Sequence, residues 1–188
     1  KAAPPAKPMS YLPFEGKVIR KIRIETLDPF GYSVTNEDET PNKWIERFGN
    51  RIHIKTKNWT VRNLLLFKKY ETVDSLKMRE SERLIRRQRY VRSVVVKPVP
   101  TTSPDSVDVV IRVLDSWSFV PTGAISSSQS NLELTERNFL GSGHLWDNRY
   151  QHDLNDKRRA FSTRYVVPNI KNTYIQTDLN YQIDLENN

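Results

Sequence analysis

Ile175-Gln176-Thr177-Asp178-Leu179-Asn180-Tyr181-Gln182-Ile183-Asp184-Leu185 alternates without a break. Odd positions are apolar or β-favouring and even positions are polar, the period-2 pattern of a strand between two different environments. Eleven residues at about 3.3 Å each reach about 36 Å, and a tilt near 45° leaves about 25 Å of height. That matches the apolar band of an outer-membrane barrel, whereas soluble strands usually run about 5–6 residues. The odd positions Ile175, Leu179, Tyr181 and Ile183 are therefore expected to face lipid. A long strand in a soluble sandwich with one wet face is the competing reading.

The preceding stretch repeats the pattern. Phe161, Thr163, Tyr165 and Val167 alternate with Ser162 and Arg164, Val166 being the exception, and the turn-forming Pro168-Asn169-Ile170-Lys171-Asn172 links the two runs into a hairpin. A further strand is expected over His144–His152, joined through the polar loop Asp153-Leu154-Asn155-Asp156-Lys157.

Composition limits the alternatives. The chain has 188 residues, 37% hydrophobic and 28% charged, enough for one domain plus part of another. It has no apolar run of about 18 residues, so no membrane-spanning helix is expected; barrel strands would escape that test. Lys1 opens no signal peptide, and the start reads as processed or trimmed. With no cysteine there is neither disulfide nor thiolate metal site. A net charge of +8 suggests an anionic surface nearby: nucleic acid, lipid headgroups or acidic protein.

Residues 1–16 hold four of the eleven prolines and read as a flexible tether. A first strand is expected over Lys17–Thr26. An excursion follows over Asp28–Asn50, with a short helix that starts at Thr40-Pro41 and is closed by Gly49. Two helices are expected, at about Asn58–Phe67 and about Asp74–Arg87. Val61, Leu64 and Leu65 face inward on the first, and Leu76, Leu84 and Ile85 on the second. Strands Tyr90–Val99, ending at Pro98, and Ser106–Leu114 come last, around a Thr101–Asp105 hairpin loop. Strand, helix, helix, strand, strand is an α+β unit of about 100 residues.

That order resembles a POTRA domain, the periplasmic module before an outer-membrane barrel. The wording agrees: Leu64-Leu65-Leu66-Phe67, then Glu80-Ser81-Glu82-Arg83-Leu84-Ile85-Arg86, then Tyr90-Val91, then Val107-Asp108-Val109. Asp115-Ser116-Trp117-Ser118 is similar to the joint between POTRA and barrel in bacterial surface-antigen proteins. Glu136-Arg137-Asn138-Phe139-Leu140-Gly141-Ser142-Gly143 looks like their first barrel hairpin, and Tyr165-Val166-Val167-Pro168 like a later strand end. The excursion at 28–50 departs from the commonest pattern. The resemblance implies the superfamily of barrel-assembly proteins and two-partner-secretion transporters. It implies a POTRA-like domain at 17–117, with an insertion at 28–50 and a three-stranded mixed sheet, and the first antiparallel strands of a barrel at 118–188. It also implies a bacterial outer-membrane location with the N-terminal domain in the periplasm. A few strands cannot close a barrel, so continuation past Asn188 or partner chains are expected.

Candidate sites follow. The resemblance puts the second strand at the sheet edge, where Val94, Val95 and Val96 would pair with unfolded or extended client proteins. Arg79, Arg83, Arg86 and Arg87, with Lys77, Arg89 and Arg92, form a basic face toward anionic headgroups, acidic clients or other envelope assembly subunits; a solvated helix surface fits the same residues. Asp115 and Trp117 are expected at the domain joint, and Trp146 as an interfacial anchor. No catalytic constellation stands out. His53, His144 and His152 lack partners at ligand spacing, Glu133 and Glu136 point to opposite faces of a strand, and Gly141-Ser142-Gly143 lacks the setting of a phosphate loop. No enzyme activity and no cofactor are expected. Two further function classes remain: a soluble periplasmic module docking peptides or an envelope partner, and a basic nucleic-acid-binding domain. The second lacks a motif and aromatic interleaving, so nucleic acid is not an expected partner.

Overall fold

The computed structural model describes residues 10–155, 157–170, 173 and 175–185. Two compact units divide the chain, Lys1–Ser116 and Trp117–Asn188.

Unit 1 is α+β. Its strands are β1 (Val18–Leu27), β2 (Val91–Pro100) and β3 (Ser106–Asp115), in the order β1-β3-β2. β3 is central because its alternation is complete: Val107, Val109, Ile111 and Val113 are fully buried, while Asp108, Val110 and Arg112 on the other face are half-buried. β1 runs parallel to β3 and β2 antiparallel. A parallel pair needs a long crossover, and three helices lie between β1 and β2: α1 (Trp44–Ile52), α2 (Asn58–Arg62) and α3 (Ser75–Arg86). Val61, Leu65, Phe67, Met78 and Ile85 complete the core against Ile19, Ile24, Val94 and Val96.

α3 begins where the Asp74 carboxylate accepts bonds from the amides of Leu76 (2.9 Å) and Lys77 (3.1 Å). Its buried face is Met78, Ser81 and Ile85. Leu76, expected inward, is 75% exposed. It lies two residues from Met78, about 200° round the helix. Ser81 takes the inward place because its hydroxyl donates to the Lys77 carbonyl (2.7 Å) and accepts from the Leu66 amide (2.9 Å). That bond fixes the non-helical 63–67 segment, so α2 is five residues long, not the ten expected.

The tether expected over 1–16 gives way at Tyr11, which is 1% exposed in the core. Its hydroxyl donates to Glu82 (2.6 Å), and the Gly16 amide to the Val73 carbonyl (3.0 Å). Aromatic burial outweighs the surrounding prolines. Residues 1–9 of that expectation lie outside the described residues.

The excursion also differs in detail. α1 starts three residues after Pro41, because the Glu46 carboxylate accepts from the Asn42 and Lys43 amides at 3.1 Å. Gly49 lies inside α1 and does not close it. A Cβ there would stand 2.8 Å from the Phe30 ring, so the glycine is required by a close approach.

Unit 2 is a five-stranded antiparallel sheet in chain order: β4 (Phe119–Ile125), β5 (Gln129–Phe139), β6 (His144–Asp153), β7 (Arg159–Val167) and β8 (Thr177–Leu185). The β5–β6 turn places Leu140, Gly141 and Gly143 at positive φ. Asn138 accepts the Gly143 amide across it (2.8 Å).

Candidate functional site

The register of unit 2 sorts its side chains onto two faces. On one, Gly123, Leu132, Tyr150, Phe161 and Ile183 form a row across all five strands. The next row is Pro121, Leu134, Asn148, Thr163 and Tyr181, and the third is Phe119, Glu136, Trp146, Tyr165 and Leu179. The polar members of this face satisfy one another. The Trp146 indole donates to Thr163 (3.1 Å), whose hydroxyl donates to Asn148 (2.9 Å). Near the β5–β6 turn, Phe139 makes edge contacts with Trp146 and Tyr165, and His144 shares a 2.6 Å hydrogen bond with the Tyr165 hydroxyl.

The opposite face is charged and internally paired. Glu133 meets Arg149 at 3.2 Å, Arg164 clamps Asp178, and Thr135 donates to Asp147 at 2.8 Å. A sheet with one paired polar face and one apolar face is the alternation of a membrane barrel wall. Leu132, Trp146, Tyr150, Leu179 and Tyr181 are all exposed on this face, large hydrophobic side chains left uncovered on one side of the sheet. Of the four residues expected toward lipid, Leu179, Tyr181 and Ile183 share this face. Ile175, expected to open the strand, is exposed but lies before β8, which starts two residues later at Thr177. His144 and His152 lie on β6, and Glu133 and Glu136 are on opposite faces.

In unit 1, β2 is one of the two edge strands, with no strand paired beyond it among the described residues. The side chains of Val94 and Val96 are core and that of Val95 is half-buried. What the edge offers is backbone. The Tyr11 hydroxyl donates to the Val96 carbonyl at 3.3 Å, so residues of that parity turn their polar groups away from β3. Pro98 and Pro100 share the parity, and their missing N–H groups cost the sheet nothing there. Tyr11 was invisible as a site residue in the sequence; a lone aromatic among prolines gave no periodic signal. Burial, together with the Glu82 carboxylate on its hydroxyl, pushes the Tyr11 phenol well above its ordinary value.

The arginines of α3 are partly neutralised. Arg83 pairs with Glu80 and Arg86 with Glu82, and the Arg83 bond holds the Glu80 carboxyl below its usual range. Arg79 and Arg87 are exposed on the same helix region. The two residues expected at the domain joint differ in setting. Asp115 is fully buried within unit 1. It accepts from the Thr56 amide (2.7 Å) and the Thr56 hydroxyl (2.8 Å), and lies 3.0 Å from the His53 ring. That is an internal polar anchor, and His53 belongs to it. Trp117 is half-buried and is the first residue of unit 2.

No family model and no curated protein matches the sequence. Among solved structures, the crystal structure of BamA from Haemophilus ducreyi lacking POTRA domains 1–3 is similar over 89% of this chain and 27% of that one, with 17% identity and a TM-score of 0.60. CdiB from Acinetobacter baumannii is similar over 82% of this chain and 26% of its own, with 14% identity and a TM-score of 0.44. The BamA likeness is one of fold: an α+β module followed by antiparallel strands. The chain spans about a quarter of the length of either structure.

Proposed function

We propose that this chain is the periplasmic POTRA-like module and first wall strands of an outer-membrane barrel that assembles or exports other proteins. The observation that carries the reading is the two-faced sheet of unit 2: registered apolar rows left exposed on one side and ion pairs on the other. Lipid on the apolar face removes the hydrophobic cost, and water or a polar lumen solvates the paired face. The α+β unit before it supports a receiving role, because the β2 edge accepts backbone pairing from any extended chain, whatever its sequence. The basic side of α3, through Arg79 and Arg87 above all, attracts acidic client segments or an envelope subunit.

The test is the full-length protein reconstituted in phospholipid vesicles and given an unfolded outer-membrane client. The client should fold, or become protease-protected inside the vesicle, faster than with protein-free vesicles. No acceleration in either readout removes the reading.

A further inference from the structure

α1 is amphipathic in the inverted sense. Its polar side is held against the protein and its apolar side is turned outward. On a wheel of 100° per residue, Trp44, Phe48, Ile52 and Ile45 fall within an arc of about 100°. All four are exposed, Trp44 at 72%, and Ile54 just after the helix is exposed too. The opposite side does the docking. Gly49 meets the Phe30 ring, the Asn50 amide donates to the Phe30 carbonyl (2.8 Å), and the Asn50 side-chain oxygen accepts the Phe30 amide (3.2 Å). A helix docked on a soluble domain normally buries its apolar stripe. This one is built to spend that stripe elsewhere.

Two features identify the surface it fits. Arg47 and Arg51 border the apolar arc on one side, and Lys43 precedes it. The one acid of the helix, Glu46, points to the docked side and is spent on capping. The acidic run before the helix is folded back, Glu37 lying 3.5 Å from Arg112 and Glu39 accepting from Asn36. Aromatic and aliphatic residues bordered by cations suit the boundary of a bilayer with anionic headgroups. The second feature is connectivity. Residues just after α1, His53 and Thr56, are bonded to Asp115, the last residue of β3, four residues before β4 in the chain. In the chain, only residues 116–118 lie between this bonded group and the first strand of unit 2.

We infer that α1 is an in-plane membrane anchor, its Trp44–Phe48–Ile52 stripe seated at the acyl boundary of an anionic phospholipid leaflet and its arginines on the phosphates. This rests on the barrel reading for its location. These 188 residues have no cysteine, so single labels can be placed cleanly once any cysteine elsewhere in the full-length protein is replaced by serine. The full-length protein carrying Phe48→Cys with an environment-sensitive fluorophore is reconstituted in mixed phosphatidylcholine–phosphatidylglycerol vesicles. Glu80→Cys on α3 and Leu179→Cys on β8 are the companions. The expected result is a blue shift at position 48 and quenching by shallow lipid-borne quenchers, with position 80 remaining water-like. Arg47→Gln and Arg51→Gln should each lower the ratio of inserted to free helix by about fivefold.

A water-like label at 48 beside a lipid-quenched label at 179 overturns the anchor and leaves the barrel reading intact. A blue shift that lipid quenchers do not touch means a protein covers the stripe. One that grows with protein concentration without lipid means a second copy does. Either overturns the anchor. A lipid-quenched label at 48 with a water-exposed label at 179 upholds the anchor and removes the strand reading.

Discussion

Position 181 tests the facing of unit 2 most sharply. Tyr181 lies in the middle of the three apolar rows, opposite Thr163, and is exposed. Leu179 is one row closer to the aromatic group of Phe139, Trp146 and Tyr165, which on the proposed function would mark a membrane interface. Arginine on the lipid face costs about 2–4 kcal/mol at the midplane and about 0–1 near the interfaces. Tyr181→Arg should therefore destabilise by about 2–4 kcal/mol, and Leu179→Arg, about 5 Å nearer that edge, by less. The control must be chosen by register. Asn180 pairs directly with Arg164, so arginine there adds like-charge repulsion. Gln182 pairs with Ser162 and has Asp184 two residues on along the same face, so Gln182→Arg should be near neutral. The assay is a urea titration of the full-length protein folded into vesicles. A loss of that size moves the midpoint for Tyr181→Arg by about 1–2 M. Equal effects at 181 and 182, or a larger effect at 179 than at 181, would refute the facing.

Tyr11→Phe should cost about 1 kcal/mol by removing the bonds to Glu82 and the Val96 carbonyl. The folded phenol titrates above its unfolded value near 10, so the folded state holds its proton longer and wild-type stability falls as pH rises beyond 10; denaturation from pH 8 to 11 should show a shallower fall for Tyr11→Phe. Asp115→Asn should destabilise unit 1 by about 2–4 kcal/mol, since the Thr56 amide and hydroxyl lose a charged acceptor, and a loss under about 0.5 kcal/mol in thermal melts would reject its anchoring role. Gly49→Ala should cost about 1–3 kcal/mol by forcing the Phe30 ring aside, with hydrogen exchange rising in α1 before the sheet. Val94→Pro should leave unit 1 folded by circular dichroism yet slow client assembly, whereas Val95→Pro should destabilise the sheet; a folded Val94→Pro protein working at the normal rate excludes edge pairing.

The sheets were legible because their signals are periodic. Val107 to Val113, Phe161 to Tyr165 and Thr177 to Ile183 alternate, and alternation survives without knowledge of the partner strand. The helical layer was less so. Leu76 scored as core because it is leucine, but inwardness on a helix is set by angle, and the required residue was Ser81, whose value lies in a bond to a loop amide 15 residues away. Gly49 read as a stop signal because its other use, admitting the Phe30 ring, depends on a contact between segments that pattern cannot see. Tyr11 failed for the same reason. At the site, the valines of β2 were found by β-propensity, but which of them face outward depends on parity against β3, and only the Tyr11–Val96 bond supplies it.

That parity bounds what the edge can do. The outward groups near its centre are the amide and carbonyl of Val94 and the amide and carbonyl of Val96. Tyr11 already occupies the last of these, and Pro98 and Pro100 offer no amide at all. Three backbone groups at about 0.5–1.5 kcal/mol each supply only a few kcal/mol, which corresponds to millimolar affinity or weaker once association costs are met. An edge of this length cannot retain a client. On the proposed function it would hold one briefly and release it without an energy source, as a receiving step ahead of a barrel requires. The prolines also stop the edge from templating long sheets between copies. Short reach and low aggregation hazard therefore come from the same two residues, and lengthening the edge by Pro98→Val should tighten client binding while slowing release.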